Sequence, residues 1–223
     1  MPRRRLQFEN GKYYHIFDKG KGVAQIADFK EDYIRLLKTF GFYHYENPGI
    51  KLSRLLEMND ESQSNFIEQL KIKNDLLVEI IVFSLLPHSI NMILMQKKDN
   101  GISNFLSQIL NSYTRYLDSK RNTKGSVFVD SFKAKEITAD NLLPLSRHIH
   151  LLPVMKREVD ISELSEHPWS SFWEYTHPDY ESLSVKEHVL QHFSQDSEGY
   201  KNYVENIEDY KNTLPEIKKL IFK

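Results

Sequence analysis

Histidine is the residue type here with the widest chemical range, and three of the nine histidines stand where that range matters: His88, His148 and His150. His148-Ile149-His150 has the i, i+2 spacing that on a strand would bring two imidazoles onto one ion. The segment after Asp140 reads as a helix, however, where i and i+2 diverge by roughly 200°. His150 is therefore expected to pack. His88 has Ile90 as its i+2 partner, so it offers one imidazole at most. Ser89 and Asn91 share a strand face but supply only neutral oxygens, weak donors for a hard cation. Tyr113 and Tyr116 are hydroxyl candidates for nucleophilic attack. Tyr113 falls on the apolar stripe of its helix. Tyr116 lies off the centre of that stripe, where it can stack or hydrogen-bond. The absence of Cys excludes disulfides, thiol nucleophiles and Cys-based zinc sites.

A second chemistry-bearing set is cationic. Arg3, Arg4 and Arg5 make a basic start, and Arg115, Lys120, Arg121, Lys124, Lys133, Lys135 and Arg147 make the middle basic. With Tyr116 and Phe128 as aromatic faces, these are the residue types that hold phosphates and unpaired bases. Lys133 and Lys135 alternate in an extended segment and are expected on one face. The formal net charge of −1 argues against a general nucleic-acid binder. Acidic residues gather in 57–68 and 158–216, so a basic middle can still present one positive face. Charges scattered over a solvated surface are the alternative.

The elements that must position these groups are legible in outline. The sequence 11–18 (GKYYHIFD) reads as a strand. Asp28-Phe29-Lys30-Glu31 has the form of a capping box, and Phe29, Tyr33, Leu36, Leu37 and Phe40 recur at helical spacing over about 29–43. Residues 76–86 and 90–96 read as strands joined by a Pro87-His88-Ser89 turn. Ile102, Leu106, Ile109, Leu110, Tyr113 and Leu117 trace one face of a helix that ends at 122–125. Residues 127–138 look extended. Asp140 is expected to cap a helix that Pro153 stops. With 40% hydrophobic and 27% charged residues the chain reads as globular. No apolar run approaches the ~20 residues of a membrane helix, and MPRRRLQF lacks the apolar stretch of a secretory signal, so a cytoplasmic location and no membrane partner are expected.

Several stretches together resemble the REP-associated tyrosine transposases, a branch of the single-tyrosine His-hydrophobic-His nucleases. They are Tyr113-Thr114-Arg115-Tyr116, the run from Gly125 through Phe128 to Phe132-Lys133, Arg147-His148-Ile149-His150-Leu151-Leu152-Pro153-Val154, and His167-Pro168-Trp169-Ser170-Ser171 with Tyr175. The resemblance covers most of the chain except about 46–74, read as an insertion, and the last dozen residues. It implies an α+β fold: a ferredoxin-like antiparallel sheet with helices on one face and the active site on the other. It also implies a transposase-like domain over 1–155 and a mostly helical C-terminal extension over 156–223. The family cleaves and rejoins single-stranded DNA through a phosphotyrosine, with a metal held by the His pair. At the corresponding positions this chain carries His148 for the nucleophile and Ser89 and Asn91 for the metal ligands. All three positions are substituted while the apolar stripes are intact.

Three readings follow. One is a transposase-like protein that has lost cleavage and binds hairpin or single-stranded DNA through the cationic set. The second is an active enzyme using His148 or a nearby tyrosine, with Mg²⁺ or Mn²⁺; otherwise no cofactor is expected. The third is a protein-interaction module using the insertion and the acidic C-terminus. Beyond DNA, the resemblance allows a second copy of the chain or a related active transposase as partner.

Overall fold

A computed structural model describes residues 6–22, 24–125, 127–129 and 131–222. Four antiparallel strands form the frame: β1 (Tyr13–Lys19), β2 (Val78–Leu86), β3 (Ser89–Gln96) and β4 (Lys133–Ile137), in the order β2-β3-β1-β4. This is the ferredoxin-like order, and the expected α+β class holds. The helices are α1 (Lys30–Tyr43), α2 (Leu52–Leu56), α3 (Asp60–Lys73), α4 (Gly101–Arg121), α5 (Ala139–Met155), α6 (Ser171–Thr176), α7 (Glu187–Leu190), α8 (Ser197–Glu205) and α9 (Ile207–Ile217). Among the described residues no helix is long and apolar enough to cross a membrane.

Strand alternation divides the sheet into two packed faces. Tyr14, Ile16, Ile90, Met92 and Leu94 join α1 and α4 in one core. Ile93 and Met95 point the other way, into a core shared with α5 and the C-terminal helices. A bulge between Ile80 and Val82 turns both Ile81 and Val82 to that second face. In the first core Phe40 lies 6.3 Å from Phe83 and from Phe105. Each such ring stabilises the fold by about 1.5–3 kcal/mol through burial. The extension completes the second core: Tyr200, Val204 and Ile217 are buried beside Ile149 and Leu145 of α5.

Local corrections have physical causes. The helix expected over 29–43 forms, but Glu31 does not close its N-terminus. Asp32 does, its carboxylate accepting from the amides of Asp28 (3.0 Å) and Phe29 (3.2 Å). Asp32 is buried and braced by α4, whereas Glu31 faces solvent. Thr138, not Asp140, stands before α5, and Asp140 lies in its first turn, where the helix dipole favours it. Pro153 does not stop α5. So near the C-terminus its missing amide removes only the bond to the Ile149 carbonyl. The segment 46–74 folds mainly as α2 and α3, whose Leu52, Leu55 and Leu70 join the first core. A bridge between Tyr45 and Leu76 closes its base. Gly101 starts α4 where a Cβ would sit 2.2 Å from the Leu77 carbonyl oxygen, so no larger residue fits.

Candidate functional site

Because β3 alternates, Ser89 and Asn91 face α5, and His148 of α5 faces them. All three line one cavity of about 550 Å³ at the β2–β3 turn. The three positions singled out in the sequence thus share one cavity. Sequence reasoning missed what β1 and the chain end contribute: His15, Phe17 and Lys19 from β1, Lys156 just after α5, and Ile221 and Phe222. The period-2 spacing of His15, Phe17 and Lys19 was a usable signal for one shared face. Nothing in the local sequence marks Phe222.

His15 is 1% exposed. Its Nδ1 lies 3.0 Å from the Leu220 carbonyl oxygen, which can only accept, so Nδ1 carries the proton. Nε2 is then a bare lone pair, buried without a hydrogen-bond partner. Burial pushes the His15 pKa down to about 4, against the Leu220 carbonyl and Asn91, which favour the charged form. His148 is held by the Tyr210 hydroxyl of α9, 2.6 Å from its Nδ1. Burial, with His15 and Lys156 nearby, brings its pKa to about 4 as well. Both imidazoles are neutral at pH 7. Phe222 covers the floor, 4.8 Å from the His15 ring and stacked 5.7 Å from Phe17.

This arrangement is poorly equipped for phosphodiester attack. Tyr210 has the distance of a nucleophile from its base, but it does not line the cavity, and burial raises its pKa to about 12. Tyr113 and Tyr116 lie on α4, across the sheet from His148. Tyr113 is fully buried and donates to the Ile26 carbonyl at 2.6 Å, and Tyr116 donates to Asp32 at 2.8 Å. Neither substitutes for a nucleophile. The donors also fit a hard dication poorly. Ser89 and Asn91 are neutral, the lone pair of His15 is a nitrogen, and the one carboxylate on the lining among the described residues, Glu158, is exposed.

The expected cationic set does not gather on one face. Arg3, Arg4 and Arg5 lie outside the described residues. Arg147 is fully buried, paired with Asp209 at 2.6 Å, bonded to the Asn206 carbonyl and stacked 4.2 Å over Tyr203. It anchors α8 and α9 and is closed to a phosphate. Lys120 (2.6 Å) and Tyr116 hold Asp32, and Arg121 holds Asp28 at 2.7 Å, so these three clasp α1 to α4. Phe128 is core, 2% exposed. Lys135 donates to the Lys219 carbonyl (2.7 Å) and the Ile221 carbonyl (3.2 Å), pinning the tail. Lys133 and Lys135 do share a face, both over the Phe222 ring. Arg115 is exposed on α4, far around the sheet from His148. His150 packs as expected, bonded to Ser171 and Tyr200 at 2.8 Å each.

No family model matches the chain, and no curated protein does. Among solved structures, the chain is similar to a REP-associated tyrosine transposase bound to a REP hairpin. The likeness has a TM-score of 0.55 at 15% identity and covers 82% of this chain and 90% of that one. At that identity it shows a shared fold over about four fifths of the chain.

Proposed function

We propose that this chain binds hairpin or single-stranded DNA at the mouth of the His148 cavity and does not cleave it. The observation that carries this reading is the likeness in fold to a transposase bound to a DNA hairpin, over four fifths of the chain. The cavity agrees with it. Lys19 and Lys156 stand on its rim as exposed cations for phosphates, with Lys133 beside Phe17. Loss of cleavage is supported by the imidazole at the nucleophile position and the neutral oxygens at Ser89 and Asn91.

The test is fluorescence anisotropy of a labelled hairpin and a labelled single strand over a salt series. Binding through phosphates makes log K fall with log salt by about 0.7–0.9 per phosphate neutralised. The double variant Lys19→Gln/Lys156→Gln should flatten that slope by one to two phosphates' worth. Absence of any anisotropy change at low ionic strength would refute the reading.

A further inference from the structure

On the α1/α4 face, opposite the His148 cavity, a second cavity of about 650 Å³ opens against the loop that leads into α2. That volume lies within the ~300–1,000 Å³ of small-molecule sites. Among the described residues, three cationic side chains line it, Arg35, Lys51 and Arg115, and no carboxylate does. Gln108, Asn111, Ser112 and Arg115 recur at helical spacing along one side of α4. They give that helix a polar stripe aimed at the cavity.

Arg35 is the unexplained group. Arg54, Arg121 and Arg147 each hold a carboxylate. Among the described residues Arg35 holds none; its Nε is buried without a hydrogen-bond partner there, and its guanidinium lies 5.3 Å over the Tyr116 ring. A half-buried guanidinium without an anion is costly, and its planar fork matches the oxygens of a phosphate. Three cations around one open cleft suit a dianion better than a monoanionic diester. The insertion supplies Lys51, so the cavity depends on the segment that the transposase resemblance does not cover.

The geometry points to a binding site for a terminal phosphate monoester of a nucleotide, free or at the end of a DNA strand. Arg35 and Arg115 grip the phosphate from α1 and α4, and Lys51 closes over it from the loop. This site shares no residue with the His148 cavity and stands whether or not that cavity binds DNA.

Isothermal titration of the full chain with thymidine 5′-monophosphate and with thymidine tests it. The monophosphate should bind and thymidine should not. Arg115→Gln, at an exposed position that leaves the core intact, should weaken monophosphate binding about ten-fold or more, and Arg35→Gln likewise. Arg54→Gln removes an equal charge outside the cavity and should leave binding unchanged. A 5′-phosphorylated oligothymidylate that displaces the monophosphate, while its unphosphorylated form does not, identifies a strand end. Displacement by neither oligonucleotide identifies a free nucleotide. Equal binding of thymidine and its monophosphate, no binding of the monophosphate at low salt, or full binding by Arg115→Gln would overturn the proposal.

Discussion

Lowering the pH from 7.5 to 5 should destabilise this protein by at least about 5 kcal/mol, and the main cause is three buried imidazoles. His15 and His148 are pushed down to about 4 and His150 to about 3, mainly by burial. His44, lowered to about 4, and His167, also lowered, add to the loss in the same direction. A folded pKa below the unfolded value of about 6.5 means that the unfolded chain binds more protons in between. The stability these groups contribute is therefore present above pH 6.5 and is lost as pH falls toward 4. Linkage gives about 2 kcal/mol per imidazole at pH 5, or about 6 for His15, His148 and His150 together. Asp18 opposes this. Its buried carboxyl is raised to about 6, so its protonation favours the folded state by about 1.4 kcal/mol at pH 5. Asp32 and Glu79 are held below their usual values and stay ionised across the window. A net loss near 5 kcal/mol is a large part of the ~5–15 kcal/mol stability of a domain. In urea it should move the midpoint by roughly 2 M for a slope near 3 kcal/mol/M. Urea unfolding at the two pH values, with imidazole NMR titration, measures it. A stability change under about 1 kcal/mol, or His15 and His148 titrating near the ordinary imidazole value of about 6.5, would refute the burial argument.

Asp209→Ala leaves the Arg147 guanidinium buried with only the Asn206 carbonyl. The expected loss is about 2 kcal/mol by thermal or urea unfolding, below the 3–5 of a fully buried pair because the Asp209 side chain is 49% exposed. Truncation after Lys218 removes the Leu220 carbonyl and the Phe222 ring from His15, and the His15 pKa should rise from about 4 toward 6.5 in an NMR titration. Tyr113→Phe leaves the Ile26 carbonyl unsatisfied and should cost about 1–3 kcal/mol, with no change in DNA affinity of the folded protein.

Much of the frame was legible because periodicity reports burial. The stripe from Ile102 to Leu117 and the strands around Pro87-His88 are set by which side chains must face the core, and they formed as read. Strand alternation put Ser89 and Asn91 on one face, the resemblance set His148 with them, and all three line one cavity. The cationic set was less so. A sequence shows that Arg147, Lys120 and Arg121 carry charge, but not that Asp209, Asp32 and Asp28 meet them from segments 62 to 93 residues away. The tail contacts at His15 and Lys135 span 84 to 205 residues and left no local trace.

The most direct test of the central claim uses labelled hairpin and single-stranded DNA incubated with the protein and Mg²⁺ or Mn²⁺, run in parallel on native and denaturing gels. The account predicts a retarded band on the native gel that disappears on denaturation, releasing full-length DNA. A denaturation-resistant protein–DNA adduct or a nicked product would contradict it and return His148 or Tyr210 to the role of nucleophile.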